Sequence, residues 1–516
     1  MLYGGNLSNR NNQYINIINY TENTGGGIIM IQPKYGAIPC AKLLKNEVKV
    51  RVEAPFTDLK EVKKPISVFA KSFLISKESK SGSVIAKSKV VFTLVYLSDD
   101  GYKKSVCEVD ATSEIPLENA VISVKTTDVK LVINGGYIGV ANVVFIGEGR
   151  AISQNNLLFG GENLICRRIE KDVDIYYNEK KGQQVVTDEF DLDFTVGEVL
   201  SYTADAHVLS VYAGLGRIIC EGEVFLSVKA LPFSENNDIV NEKRIIPYRY
   251  ELEDGDALPD MRCYAQADVV ATNVRIYADE DKQKSSVSVD VTLSFTGSAV
   301  GSAPYSLVSD AYSKDSECEL SVEKIQVLRF KEQKFFTEKI VVQGSPALEG
   351  GKILSVLGET VNVFGVKSQG EIHSVEGTVK ADVIFKNEDN GIISVPCEAP
   401  FFIDFSADGV ISSVSVAKGD FFARVKGGEV EIECHLKVYY KVYAIDEISA
   451  VKEICEIGER KNLGGAISVC IARRGDEIWD VAKRLGTDED EILKFNPDIV
   501  APMTGEERII VYRQKI

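Results

Sequence analysis

The chain has 516 residues, of which 45% are hydrophobic and 26% are charged, and its formal net charge is −17. This composition is typical of a globular protein, and the length predicts three to four domains. So negative a chain lacks the basic surface of a nucleic-acid-binding protein and would be repelled by anionic membrane surfaces. The sequence contains no bilayer-spanning apolar run and no signal-peptide pattern, so we expect a cytoplasmic protein without membrane insertion.

The ten cysteines are scattered, and none forms a Cys-x-x-Cys pair. Several occupy apolar positions of strand patterns, as Cys434 does between Ile432 and Leu436. We therefore expect reduced, buried thiols rather than disulfides or metal ligands. The three histidines are too few and too dispersed to predict a metal site, so we predict no metal and no cofactor.

Residues 1–34 form an Asn- and Gly-rich lead that we expect to be flexible. Strand-like patterns begin after it, and residues 35–152 predict a first all-β unit. Within this unit Asn134-Gly135-Gly136 predicts a hairpin turn between two apolar runs, residues 129–133 and 137–146.

Residues 153–303 and 304–455 share a series of motifs. A glycine precedes Glu-Val-Leu-Ser at 198–201 and Lys-Ile-Leu-Ser at 352–355, and each copy continues with a Glu-Gly strand and a Pro-aromatic strand. These strands occupy 221–226 and 376–383, then 247–250 and 400–403. Their strict alternation predicts antiparallel, sandwich-like sheets with one solvated face. Equivalent hairpins are roughly 145 residues apart, which is far longer than the period of a solenoid repeat. We therefore expect tandem domains, which would give the molecule reach.

This arrangement resembles the tandem SPOCS domains of clostridial spore-coat proteins. The two later copies carry the resemblance best, and the first is a divergent copy. A linker at 456–466 follows, and its Gly464-Gly465 pair predicts a flexible joint crossed by few contacts.

Residues 467–516 predict a small domain with the order strand, helix, helix, strand. Ile467, Val469 and Ile471 alternate as in a half-buried strand. Asp476 is the expected N-cap of the first helix, and Thr487 with Asp490 predicts a capping box for the second. The apolar residues of the helices and the last strand are Ile478, Val481, Ala482, Leu485, Ile492, Leu493, Phe495, Ile509, Ile510 and Val511.

This order resembles a LysM domain. LysM domains bind N-acetylglucosamine-containing glycans, and some dock on proteins instead. The resemblance implies a ligand groove between the loop after the first strand and the loop after the second helix. The candidate groove residues are Arg474, Gly475, Asp476, Glu477, Ile478, Trp479, Asn496, Pro497, Asp498, Ile499 and Val500.

The expected rim of this groove is acidic. Asp476, Glu477 and Asp498 contribute carboxylates, which suit a protein surface better than a neutral glycan. A simple helix-capping role for Asp476 stays equally open. Trp479, the single tryptophan, either anchors a partner or packs in the domain core.

Enzymatic motifs are weak. Cys434-His435 is the one adjacent Cys-His pair, and neighbours along a strand point to opposite faces. Gly214-Leu215-Gly216 lacks the following Lys-Ser/Thr and the helix of a phosphate loop, so it predicts a hairpin turn. We therefore predict a protein that is not an enzyme.

SPOCS-like units followed by a LysM-like domain are similar to the coat assembly proteins of spore-forming clostridia. The resemblance implies a non-enzymatic scaffold in the mother-cell cytoplasm, recruited to the forespore surface and docking on the coat morphogenetic ATPase SpoIVA. Sheet edges also predict self-association. The alternative is a cell-wall protein that binds peptidoglycan or other N-acetylglucosamine glycans.

Overall fold

The structure, a computed structural model, describes residues 31–118, 120–176, 179–233, 238–279, 284–346, 351–387, 389, 391–460 and 467–512. Most of the predicted lead, Gly464-Gly465 and the last four residues lie outside this set. The described chain consists of 21 strands and two short helices, and its sheets are antiparallel. The prediction of a mainly β protein is therefore confirmed.

The first β unit is a sandwich of two three-stranded sheets. Its strands are β1 (Gln32–Pro55), β2 (Lys64–Lys80), β3 (Ser83–Ser98), β4 (Gly101–Ile115), β5 (Val121–Ile133) and β6 (Tyr137–Glu162). The meander β2-β3-β4 forms one sheet and β1-β6-β5 forms the other. Val90, Phe92 and Phe145 are fully buried in the core between them.

The second and third units repeat this plan. The second contains β7 (Ile165–Tyr176), β8 (Lys180–Leu192), β9 (Val196–Gly214), β10 (Arg217–Pro232), β11 (Val240–Glu253), β12 (Arg262–Asp279) and β13 (Lys284–Tyr312). The third contains β14 (Ser316–Pro346), β15 (Lys352–Gln369), β16 (Ile372–Lys386), β17 (Ile392–Ser406), β18 (Val410–Lys426) and β19 (Glu429–Glu459). In each, a central three-strand meander packs on a sheet made from the outer strands, as in the first unit.

The final strand of each of the first two units runs past the boundary expected from sequence. The expected boundaries after residues 152 and 303 fall inside β6 and β13. These strands continue beyond their own sandwich as two-stranded ribbons, β6 with β1 and β13 with β7. Periodicity alone does not reveal where such a ribbon leaves its sandwich, because the alternation of side chains continues unchanged.

The Glu-Gly and Pro-aromatic motifs of the second and third units lie opposite each other on neighbouring strands. Gly222 on β10 lies opposite Tyr248 on β11, and Gly377 on β16 lies opposite Phe401 on β17. A Cβ added to Gly377 would stand 2.5 Å from the Phe401 ring. The Glu-Gly strand is therefore the platform on which the aromatic ring of the Pro-aromatic strand packs.

The first unit has a smaller pair in the same place. Ser88 on β3 lies opposite Ala111 on β4, and both are buried. Two small side chains stand where the other units have a glycine and an aromatic ring. The first unit therefore lacks this sequence motif while keeping the strand order of the other two.

The three units are packed against one another rather than strung out. The ribbons β1/β6, β7/β13 and β14/β19 meet in a common apolar cluster, which we call the ribbon junction. Its buried members include two isoleucine, leucine or valine residues from each unit, namely Ile38, Leu157, Val173, Leu307, Ile325 and Ile448. The three units therefore share an apolar core at their ribbons, in addition to the sandwich core of each unit.

A second shared cluster, the meander junction, joins the three meander sheets. It contains Val95 from the first unit, Leu200 from the second, and Ile384 from the third, all fully buried. The three units therefore surround a common axis, and each of the two apolar junctions contains residues from all three units.

Polar side chains link neighbouring units close to the meander junction. Lys71 pairs with Asp205 at 3.2 Å, and the buried Lys229 pairs with Glu359. Ser67 donates to Asp382 at 2.5 Å and so joins the first unit to the third. Lys71, Asp205 and Glu359 each lie four residues after a serine, namely Ser67, Ser201 and Ser355. Buried ion pairs specify which surfaces meet more than they add stability.

We predict that Gly377→Ala destabilises the protein. The new Cβ would lie 2.3 Å from the Asn362 carbonyl oxygen and 2.5 Å from Phe401, so backbone or ring must move. Overpacking of this kind costs about 1–3 kcal/mol. Gly365→Ala is the control, because nothing lies within 4 Å of its added Cβ. Urea denaturation should give a lower midpoint for Gly377→Ala than for Gly365→Ala, and equal midpoints would contradict the packing described.

A buried histidine makes stability depend on pH. His207 on β9 is 1% exposed, and its ring stacks on Tyr439 of the third unit with centroids 5.9 Å apart. Neither ring nitrogen has a hydrogen-bond partner within the described chain. Burial lowers the pKa of His207 to about 4, although Asp205 and Glu223 act in the opposite direction.

We predict that His207 lowers the free energy of unfolding as the pH falls from about 6.5 to about 4. In that window the unfolded chain takes up a proton and the folded chain does not, so unfolding is favoured. The full effect is roughly 3 kcal/mol at about 1.4 kcal/mol per pKa unit. Denaturation midpoints of the native chain and His207→Phe, measured from pH 7.5 to 4.5, should differ in slope. Parallel curves would show that His207 protonates freely in the folded state.

Candidate functional site

The C-terminal module has the predicted order of strand, helix, helix and strand. Its elements are β20 (Ile467–Ala472), α1 (Ile478–Leu485), α2 (Glu489–Phe495) and β21 (Glu507–Tyr512). β20 and β21 pair antiparallel. The apolar face of α1 is buried as expected, with Val481, Ala482 and Leu485 packed against Ile492 and Ile509.

Both predicted helix caps are displaced by one residue. The N-cap of α1 is Glu477, whose backbone N–H donates to Asp480 Oδ2 at 2.8 Å. Asp476 instead accepts from the backbone N–H of Arg473 at 2.9 Å. The N-cap of α2 is Asp488, and the Thr487 hydroxyl donates to Glu491 rather than capping the helix. Short runs of Asp, Glu and Thr offer several cap positions, and the loop geometry selects among them.

The first strand of the module faces opposite to the expectation. Ile467, Val469 and Ile471 are 56%, 61% and 56% exposed, while Ala472 is fully buried. The small side chains of Cys470 and Ala472 face the core from β20, and Ile509 and Val511 of β21 supply the larger side chains of the sheet. The alternation was predicted correctly, but the prediction that the large residues face the core was wrong.

The predicted groove loops are adjacent in the structure. Gly475 N–H donates to the Met503 carbonyl, and Met503 N–H donates to the Asp476 carbonyl, both at 2.9 Å. Ile478 and Ile499 both pack against the module core, while Val500 is 71% exposed. The remaining candidates Arg474, Pro497 and Asp498 are exposed at the surface.

Asn496 fastens the second groove loop to β21. Its side-chain amide donates to the Ile510 carbonyl at 2.7 Å, and its side-chain oxygen accepts from Ile510 N–H at 2.8 Å. The same amide also donates to the Ile492 carbonyl at 2.8 Å. These bonds engage the polar atoms that a sugar hydroxyl would otherwise need.

Two of the three expected rim carboxylates are neutralised within the chain. Arg484 lies 2.6 Å from Asp476, and together with the Arg473 backbone N–H, the larger cause, it lowers the pKa of that carboxyl. Glu477 is paired with Arg167 of β7. The expected acidic rim is thus largely reduced to Asp498. Sequence reasoning missed Arg167 because 310 residues separate it from Glu477.

Trp479 holds the module against the second unit. It is 4% exposed, its ring stands edge-on to Tyr312 with centroids 5.0 Å apart, and its Nε1 donates to Asp310 at 2.8 Å. The Tyr312 hydroxyl donates to the Thr487 carbonyl at 2.7 Å. Of the two interpretations open at the sequence level, packing in the core applies to Trp479.

Further polar contacts complete this docking contact. Lys483 donates to Asp310 at 2.5 Å, Arg460 donates to the Lys483 carbonyl at 2.7 Å, and Lys314 pairs with Asp488. The expectation of few contacts between the module and the β units is therefore wrong. The end of β13 and the turn into β14 provide the platform on which the module packs.

One surface of the module is apolar and faces outward. It comprises Ile467, Val469 and Ile471 of β20 with Ile510 of β21, which is 40% exposed, and we call it the aliphatic face. Val469 pairs across the strands with Ile510, and Ile471 pairs with Arg508, so a cation borders the apolar row. Contiguous apolar surface of this kind marks interaction sites, whereas single exposed apolar residues are ordinary.

The adjacent Cys-His pair noted in the sequence does not come together in the structure. Cys434 is fully buried and the neighbouring His435 is half-buried on the opposite face of β19. Residues 214–216 form the β9–β10 hairpin turn, as predicted. Among described residues, no group of three or more His, Cys, Asp or Glu side chains could hold a metal ion. Neither described helix is long and apolar enough to cross a bilayer.

Comparisons of the sequence with known proteins yield no relative. No protein-family profile matches the chain, and no curated protein matches it. The LysM and SPOCS resemblances accordingly rest on the motifs and their order.

We predict that Tyr312→Ala loosens the module from the second unit. The substitution removes the aromatic contact to Trp479 and the hydrogen bond to Thr487. Truncating a buried aromatic residue costs about 3–5 kcal/mol. Because Trp479 is the single tryptophan, its emission should shift to longer wavelength and become more accessible to acrylamide. Tyr277→Ala, on an exposed side chain of β12, is the control. An unchanged emission maximum in Tyr312→Ala would contradict the docked arrangement.

Proposed function

We propose that this chain is a non-enzymatic scaffold of spore-coat assembly whose C-terminal module docks on another protein. The proposed partner is the coat morphogenetic ATPase, as in the SipL-like coat proteins that the chain resembles. The proposed location is the mother-cell cytoplasm, with recruitment to the forespore surface. Self-association through exposed sheet edges belongs to the same proposal.

The aliphatic face is the observation that carries this proposal. Its three β20 residues are each more than half exposed and lie in one row on one face of a two-stranded sheet. An apolar centre bordered by charge is the usual composition of a protein interface. Arg508 at one end of the row favours a partner surface that presents a carboxylate beside apolar side chains.

The geometry supports protein binding better than glycan binding. Asn496 is occupied by β21, and Glu477 is paired with Arg167, so the groove offers few polar groups for sugar hydroxyls. The docking contact around Trp479 also lies next to the first groove loop. We therefore place the partner on the aliphatic face and not in the groove.

We predict that Val469→Asp weakens partner binding at least tenfold and leaves the module folded. Val469 is 61% exposed, so a carboxylate there stays solvated in the free protein. In the complex the carboxylate would be buried without a neutralising charge. Burial of an unpaired charge costs several kcal/mol. Leu215→Asp, at a 76% exposed position in the β9–β10 turn, is the control. Calorimetry with the purified ATPase measures affinity, and a fluorescent fusion in sporulating cells measures recruitment.

Two results would decide against the proposal. Binding of Val469→Asp at native affinity, combined with loss of binding in Ile499→Asp, would move the docking site into the groove. Micromolar binding of N-acetylglucosamine oligomers without binding of the ATPase would identify a wall-binding protein instead. Trp479 emission serves as the folding check for every variant, because Trp479 reports on the module core.

A further inference from the structure

A cavity of about 700 Å³ lies between the ribbon junction and the meander junction, and we call it the axial cavity. All three units contribute to its walls. Strand β2 shows its position, since it runs from Ile66 in the meander junction past Lys71 to Lys77 at the cavity wall. Small-molecule sites typically have volumes of roughly 300–1,000 Å³ and form where domains meet.

The charge of the axial cavity is opposite to that of the chain. Six cationic side chains line it, namely Lys45, Lys77, Lys125, Arg150, Lys181 and Lys441. Three carboxylates line it as well, those of Glu47, Glu148 and Glu179. The lining of the axial cavity therefore carries an excess of positive charge, although the net charge of the chain is −17.

The six cations outnumber the three carboxylates of the lining, so these carboxylates balance half of the positive charge. Lys45 lies 3.3 Å from Glu47, and Lys77 lies 3.9 Å from Glu179. Other cations also contact neutral groups. Lys125 Nζ donates to the Val363 carbonyl at 3.1 Å, and Lys441 Nζ lies over the Tyr264 ring, 4.3 Å from its centroid.

The position of three of these lysines disfavours the charged form of their side chains. Burial lowers the pKa of Lys77, Lys125 and Lys441, against the opposing effect of the nearby glutamates. Lys181 lowers the pKa of Lys77 further, because the two ammonium groups lie close together. An anion placed among these groups would relieve both the desolvation and the mutual repulsion.

We propose that the axial cavity binds a polyvalent oxyanion, a small molecule that carries phosphate or carboxylate groups. Lysines of the first and third units would contact it, and Lys181 of the second unit completes the set. The apolar half of the lining, including Ile146 and Val414, accommodates a carbon skeleton. Because all three units supply cations, the ligand would also hold the units together.

The test uses inorganic pyrophosphate and citrate as probes on the full chain. Calorimetry and thermal denaturation should detect binding of one or both, weakening as salt is raised. The double variant Lys125→Gln/Lys441→Gln and the single variant Lys181→Gln should each lose affinity, the double variant at least tenfold. Lys87→Gln, an exposed position on β3, removes the same charge outside the cavity and should bind as the native chain does.

Each outcome bears on the proposal. If the double variant fails to fold, Lys181→Gln still decides, since Lys181 lies exposed at the cavity edge. Equal affinity in Lys181→Gln and Lys87→Gln would show that the anion binds elsewhere. Absence of binding by the native chain to both probes at millimolar concentration would overturn the proposal. Stronger binding of pyrophosphate than citrate would assign phosphate, and the reverse order would assign carboxylate.

Discussion

The ribbon junction is the constraint on which the rest of the structure depends. A two-stranded ribbon is marginally stable alone, because one of its faces stays in water. Here three ribbons bury their apolar faces against one another, and residues such as Ile38 and Leu307 become fully buried. Each unit has its own sandwich core, but the ribbon of each unit is stabilised only in the presence of the other two.

This arrangement also determines where the C-terminal module lies. The end of β13 presents Asp310 and Tyr312 to the module, and the turn into β14 adds Lys314. The single tryptophan contacts this platform instead of solvent. The docking contact therefore fixes the direction in which the aliphatic face points.

Local patterns in the sequence predicted much of the fold. Alternation predicted the strands, and turn signals predicted hairpins, as at Asn134-Gly135-Gly136 between β5 and β6, where Gly135 adopts a positive φ angle of 65°. A two-residue alternation separates the two faces of a strand but does not show which face is buried. It therefore did not predict which face of β20 packs on the core. The pairs Arg167–Glu477 and Lys229–Glu359 could not be found either, because they join residues far apart in the chain and depend on how whole units pack.

Small-angle X-ray scattering tests the central claim, that the three β units form one closed body around a shared axis. A compact chain of 516 residues has a radius of gyration of about 24 Å. We expect a value near that figure, with a distance distribution that has a single maximum. A radius well above roughly 30 Å, with separate maxima for neighbouring domains, would show a string of independent units and contradict the shared junctions.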